Sequence, residues 1–143
     1  MKGCKDCEAE GITTGRPAPH PGPRCASHHR EVKKQRKARA HSRRIDTFYG
    51  ITTEQYQMMY QYQGGRCAIC QKATGATRNL AVDHDHSCTK GHPPDRGCQH
   101  CVRGLLCSVC NRVVIGRYTV DGLKRAIDYL NDPPARRVLN RVR

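Results

Sequence analysis

The sequence predicts a small α+β protein stapled by metal, in which a strand–strand–helix unit with cysteine knuckles follows an N-terminal zinc-ribbon-like module. Three observations predict it. The apolar content is too low for an ordinary core: Leu, Ile, Val and Phe make up 22 of 143 residues, about 15%, and Trp is absent. With a net charge of +14, that composition alone describes a disordered chain. Ten cysteines, most of them in C-x2-C pairs, offer the missing source of order. Two short apolar runs, near residues 80–84 and 102–106, each lead into a cluster of polar or cysteine residues.

Residues 1–29 carry Cys4-x2-Cys7 and Cys25-x2-His28, joined by a span from Gly15 to Pro23 with four prolines. Two ligand knuckles on a proline-rich loop follow the plan of a zinc ribbon. His29 is an alternative to His28, and His20 a further one. Residues 30–50 form a basic helix or linker. Eight of the fifteen residues 30–44 are Lys or Arg, and Gly and Pro are absent. Without an apolar stripe, this stretch is suited to following a phosphate backbone through Lys33, Lys34, Arg36, Lys37, Arg39, Arg43 and Arg44.

Residues 51–132 form the main domain. Its first helix is expected over 53–63, capped by Thr52 or Thr53 and stopped at Gly64-Gly65. Tyr56, Met59 and Tyr60 share one face of it, which packs inward. A later helix is expected over 121–130, burying Leu123, Ala126, Ile127 and Leu130, with Pro133-Pro134 beyond its end. Residues 133–143 form a basic tail, loosely held from Arg136 onward.

The ligand pairs close on themselves. Cys4/Cys7, Cys25/His28, Cys67/Cys70, Cys88 with a nearby His, Cys98/Cys101 and Cys107/Cys110 supply twelve ligands for up to three tetrahedral sites, with no thiol left over. Each structural Zn2+ contributes about 10–16 kcal/mol to the folding of a small domain, enough to replace an apolar core. Sequence order groups Cys4, Cys7, Cys25 and His28; Cys67, Cys70, Cys107 and Cys110; and, nested between, Cys88, His92, Cys98 and Cys101. By spacing alone Cys67/Cys70 pairs equally well with Cys98/Cys101, and His100 rivals His92. No apolar signal core and no run of eighteen apolar residues is present, so a reducing cytosol is expected and membrane insertion is not. The 26 Lys+Arg against 12 Asp+Glu call for a polyanionic partner.

Between the knuckles, Leu80-Ala81-Val82-Asp83-His84-Asp85-His86 reads as a strand entering a polar site. Residues 101–111, Cys-Val-Arg-Gly-Leu-Leu-Cys-Ser-Val-Cys-Asn, read as a second strand, a knuckle and a helix starting near Ser108. These residues resemble the phage recombination endonuclease VII family of the HNH, or ββα-metal, nucleases. The resemblance rests on Val82 to His86, Arg103 to Cys107 and Cys110-Asn111. It is supported by Gly64-Gly65-Arg66-Cys67-Ala68-Ile69-Cys70 and spans roughly residues 53–131.

The resemblance implies a DNA endonuclease, acting in the host bacterial cytoplasm if phage-encoded. Asp83 and Asn111 would bind catalytic Mg2+, for which Mn2+ substitutes. His84 would activate water, His86 would assist at the phosphate, and Cys67, Cys70, Cys107 and Cys110 would share one structural zinc. Arg103 joins the expected DNA contacts, and no small-molecule cofactor beyond metals is expected. The residue types suit the chemistry: a hard cation takes oxygen ligands from Asp and Asn, and histidine titrates near neutral pH. Val114 stands where the family has an acidic residue one turn after the Asn, leaving that place to Asp85 or water. Neither dimerisation nor four-way-junction specificity is implied. In a regular strand Asp83 and His84 face opposite ways, so they share a site only if the strand ends or bulges there. The competing reading is a non-catalytic zinc-ribbon protein that binds nucleic acid, for which Asp83, His84 and Asn111 are not needed.

Overall fold

The computed structural model describes residues 3–139 apart from 14, 89 and 94, and the chain divides into two compact units, residues 1–53 and 54–143. The molecule is a small α+β protein. No helix among the described residues is long and apolar enough to cross a membrane.

In the first unit, a short helix α1 (Lys5–Ala9) and a long helix α2 (Ala26–Tyr49) flank the proline-rich loop. The loop is pinned at its ends. Lys5 N–H donates to Pro23 O at 3.1 Å, and Arg24 Nε donates to Asp6 Oδ2 at 2.7 Å. Cys4, Cys7 and Cys25 are buried, with Ile12 and Ala18 packed against them. The basic stretch is a helix, and it begins earlier than residue 30. Cys25 is its N-cap, so His28 lies in its first turn. It ends where Gly50 turns left-handed at φ 61° and returns its N–H to Asp46 O. At 1.5 Å per residue its 24 residues span about 36 Å.

In the second unit, α3 (Thr53–Tyr62) precedes an antiparallel hairpin of β1 (Ala81–His84) and β2 (Val102–Leu106). Tyr56 is buried, while Met59 and Tyr60 are half-buried on the expected inward face. Two tyrosine hydroxyls tie α3 to the chain leading into β1: Tyr56 donates to Leu80 O at 2.9 Å and Tyr60 to Thr74 O at 2.6 Å. The side-chain amide of Gln63 pairs with the backbone of β2 at Leu105. Its Oε1 accepts from Leu105 N–H at 2.8 Å, and its Nε2 donates to Leu105 O and Arg66 O at 2.9 Å. The apolar core is correspondingly small, centred on Leu80, Val82, Leu105 and Leu106 with Cys67 and Cys110.

After β2, a helical turn at Ser108 inside the Cys107/Cys110 knuckle continues as a π-helix, Cys110–Ile115. Helix α4 (Val120–Asn131) is capped by Thr119 Oγ1, which accepts from Gly122 N–H. Its expected burial is corrected by the structure. Ala126, Ile127 and Leu130 are exposed, Ile127 by 57% and Leu130 by 72%, and Leu123 is only half-buried. The sequence pattern marks an apolar face but carries no information about what covers it. In the tail, residues Pro134–Leu139 form a short helix, α5, with no buried residue and with Arg137 paired to Asp132. Residues 140–143 lie outside the described residues.

Candidate active site and metal clusters

Twelve cysteine and histidine side chains converge in three groups of four, each with its ligand atoms within 4.8 Å of one another. The first group is Cys4, Cys7, Cys25 and His28. Helices α1 and α2 each contribute their N-cap and a residue of the first turn. His28 Nδ1 lies 3.3, 3.4 and 3.4 Å from the sulfurs of Cys4, Cys7 and Cys25. Its other nitrogen, Nε2, meets Glu10 Oε2 at 3.0 Å, which fixes the ring. His29 is elsewhere, stacked on His20 at 4.3 Å.

The second group is Cys67, Cys70, Cys107 and Cys110, and the third is Cys88, His92, Cys98 and Cys101. In the third group His92 presents Nε2 to Cys101 Sγ at 3.7 Å, while its Nδ1 is 3.1 Å from Pro93 O. The two histidines therefore use opposite nitrogens, each set by the partner of the other nitrogen. Knuckle N–H groups reach the sulfurs, Cys98 N to Cys101 Sγ at 3.0 Å and Cys110 N to Cys107 Sγ at 3.4 Å. His100 is exposed and outside the group.

These groups fit zinc. With sulfur at about 2.3 Å and imidazole nitrogen at about 2.0–2.1 Å, a tetrahedral ion needs S···S edges near about 3.8 Å and S···N edges near about 3.5 Å. The observed S···S distances are 3.9 Å for Cys7–Cys25, 4.0 Å for Cys70–Cys107 and 3.9 Å for Cys88–Cys98. A disulfide needs about 2.05 Å, and none of the ten cysteines is in one.

The polar site lies at the end of the hairpin. The register runs Ala81 to Leu106, Val82 to Leu105 and Asp83 to Gly104, then His84 to Val102. Arg103 is therefore the extra residue of a β-bulge at the Asp83/His84 step, and β1 ends at His84. The bulge turns Arg103 toward Asp83, whose two oxygens accept from Nε at 2.7 Å and Nη2 at 3.0 Å. Gly104 allows the kink at φ 155°, where an added Cβ would lie 3.0 Å from Gln63 Oε1.

Asp83 and His84 are both buried, whereas His86 is exposed and tilted against His84 with ring centroids 4.3 Å apart. Burial pushes the His84 imidazole below its usual range. His86, Arg103 and His92 push the same way, and Asp83 opposes them. The ring is thus favoured in its neutral, proton-accepting form near pH 7. Asp85 is held low by the N–H and hydroxyl of Ser87, and Arg103 is held high chiefly by its bonds to Asp83. The Asp83–His86 run does not form a fourth metal cluster among the described residues. Asn111 follows Cys110 in the π-helix, half-buried, with its N–H on Cys107 O at 2.9 Å. The Lys and Arg residues of α2 from Lys33 to Arg44 are exposed.

Three roles go beyond what the sequence predicts: Gln63 as a backbone partner of β2, Arg103 as the ion-pair partner of Asp83, and Gly97 as a close neighbour of His84. A glycine inside a strand, Gly104, is a sequence signal for a bulge. Nothing in the sequence marks Gln63.

The family model for recombination endonuclease VII matches residues 42–132. The Gene 59 protein of Mycobacterium phage D29 is 48% identical over 140 residues, 96% of this chain and 78% of that one. The Gene 59 protein of Mycobacterium phage L5 is 46% identical, covering 96% and 79%.

Proposed function

The chain belongs to the recombination endonuclease VII family, and from that premise we propose that it is a divalent-metal-dependent DNA endonuclease with an HNH-type, ββα-metal active site. The observation that supports this reading best is the bulged hairpin end, which gathers a buried carboxylate and a buried, neutral-favouring imidazole beside an arginine. In this reading Asp83 and Asn111 would hold Mg2+ or Mn2+ through oxygen. When bound, the cation supplies charge stabilisation at the scissile phosphate and the leaving oxygen. His84 accepts the proton of the attacking water, and burial keeps it ready to do so. His86 and Arg103 meet the phosphate. Zinc in the three clusters is structural, and Cys110 anchors the neighbouring Asn111. The exposed cations of α2 contact the DNA backbone. The site works in the bacterial cytoplasm, on DNA that it nicks or cuts through, branched forms included. The proposed modules are 1–29, 30–50, 51–132 and 133–143, with helix α2 running unbroken across the first boundary.

One observation favours a second reading, a non-catalytic nucleic-acid-binding protein: both oxygens of Asp83 are already taken by Arg103. Incubation with Mg2+ and supercoiled, linear and branched DNA separates the two. The endonuclease converts at least one form to nicked or cut product, and the binder leaves all three intact while retarding them in a gel.

A further inference from the structure

The segment between the strands carries the third cluster, and it returns to the hairpin beside His84. Asp85 N–H donates to Cys101 O at 2.8 Å, so the residue after His84 is tied to the Cys98/Cys101 knuckle. Immediately before that knuckle, Gly97 is buried. A Cβ there would lie 3.1 Å from His84 Cδ2, 3.2 Å from His84 Cγ and 3.2 Å from Cys101 Sγ. Both ring contacts are to the Cγ–Cδ2 bond, so Gly97 lies against the carbon side of the imidazole, next to Nε2 but not in contact with it. Gly91, in the same segment, has nothing within 4 Å of its would-be Cβ. Of the two glycines in this segment, close approach is thus particular to Gly97.

We propose that Gly97 and the third metal cluster position His84: the missing side chain lets the knuckle close on the imidazole, and the metal-clamped loop holds the ring in its working orientation. This rests on the reading of His84 as the general base. Gly97 is a positioning residue, acting only through the imidazole it touches. A methyl group placed there must displace the ring or the Cys101 sulfur by a few tenths of an ångström. Displacements of about 1 Å cost about a hundredfold in rate when they misalign reacting groups.

The test compares the parent, Gly97→Ala, His84→Ala and the double variant as full-length, zinc-loaded protein. Gln99→Ala, exposed on the same knuckle, is the control. Plasmid nicking with Mg2+, DNA affinity, zinc content and imidazole NMR spectra are read together. Gly97→Ala should keep all three zinc ions and shift the His84 resonances. It should slow turnover by about three- to tenfold while holding affinity within about twofold. It should add nothing to the loss already caused by His84→Ala. Gln99→Ala should match the parent. If Gly97→Ala cuts at the parental rate, slows His84→Ala further, or loses a zinc ion, the proposal is overturned. If His84→Ala itself cuts at the parental rate, the endonuclease reading falls and takes the proposal with it. Should Gly97→Ala not fold, Cys88→Ser frees the loop without crowding it. A His84 ring unmoved by that release overturns the proposal, and a shifted ring with slower turnover supports it.

Discussion

Arg103 grips Asp83 through both carboxylate oxygens, at 2.7 and 3.0 Å, across the bulge that separates the pairing of Asp83 from that of His84. The carboxylate is nearly buried at 10% exposure, while the guanidinium is 46% exposed. Without a cation, the arginine supplies the positive charge that the buried carboxylate needs. A divalent cation at Asp83 must therefore share the carboxylate or move the guanidinium toward solvent, where a DNA phosphate can receive it.

Arg103→Ala should expose this competition. In zinc-loaded protein without added Mg2+ or Mn2+ the variant should lose about 1–2 kcal/mol of stability, a value discounted for the half-exposed guanidinium. Added Mn2+ should narrow the gap, and the variant should bind Mn2+ more tightly than the parent. Thermal unfolding with and without Mn2+, and a Mn2+ titration followed by electron paramagnetic resonance, check both. An unchanged Mn2+ affinity would mean that the pair and the cation do not compete.

Zinc analysis of protein purified without chelator should give three ions per chain. Cys107→Ser should cost the fold of the hairpin and π-helix, because its cluster joins the chain before β1 to the chain after β2. Cys88→Ser should leave the core folded and raise hydrogen exchange only around 87–101. Equal disruption by both would show that the clusters are not independent.

Gln63→Ala should destabilise the second unit by about 2 kcal/mol, because it leaves Leu105 N–H without its partner and removes two further bonds. Thermal unfolding measures the loss. Tyr56→Phe, which removes one bond to Leu80 O, should cost less, about 1 kcal/mol.

The ligand set was legible in the sequence because C-x2-C spacing is a property of the knuckle itself: local geometry places both thiols on one side. The inward face of α3 was legible for the same reason, since Tyr56, Met59 and Tyr60 repeat with the helix. What the sequence hid depends on register or on distant neighbours. The Asp83–Arg103 pair exists only because one residue is extra in β2. The role of Gly97 depends on where the loop returns, and that of Gln63 on a backbone 42 positions away. Helix α4 fails in the opposite sense: its pattern is clear, yet Ile127 and Leu130 stand in solvent.

Helix α2 should carry much of the DNA affinity, and its contribution should be electrostatic. With about five phosphates neutralised, log K should fall against log salt with a slope of about −4 to −5. Lys33, Lys37 and Arg44 fall on one face of the helix. Changing all three to Ala should flatten the slope by about 0.9 for each phosphate no longer neutralised, and leave zinc content unchanged. Fluorescence anisotropy across a salt series measures it, and an unaltered slope would place the DNA elsewhere.

The most direct measurement is plasmid nicking by His84→Ala, with zinc content and DNA affinity taken on the same preparation. A general base contributes about 10²–10⁴ in rate, so nicking should fall by that factor. Zinc should stay at three per chain and affinity should match the parent, because His84 belongs to none of the clusters. Cleavage by His84→Ala at the parental rate would contradict the account, and loss of zinc from it would make His84 a structural residue and the protein a binder.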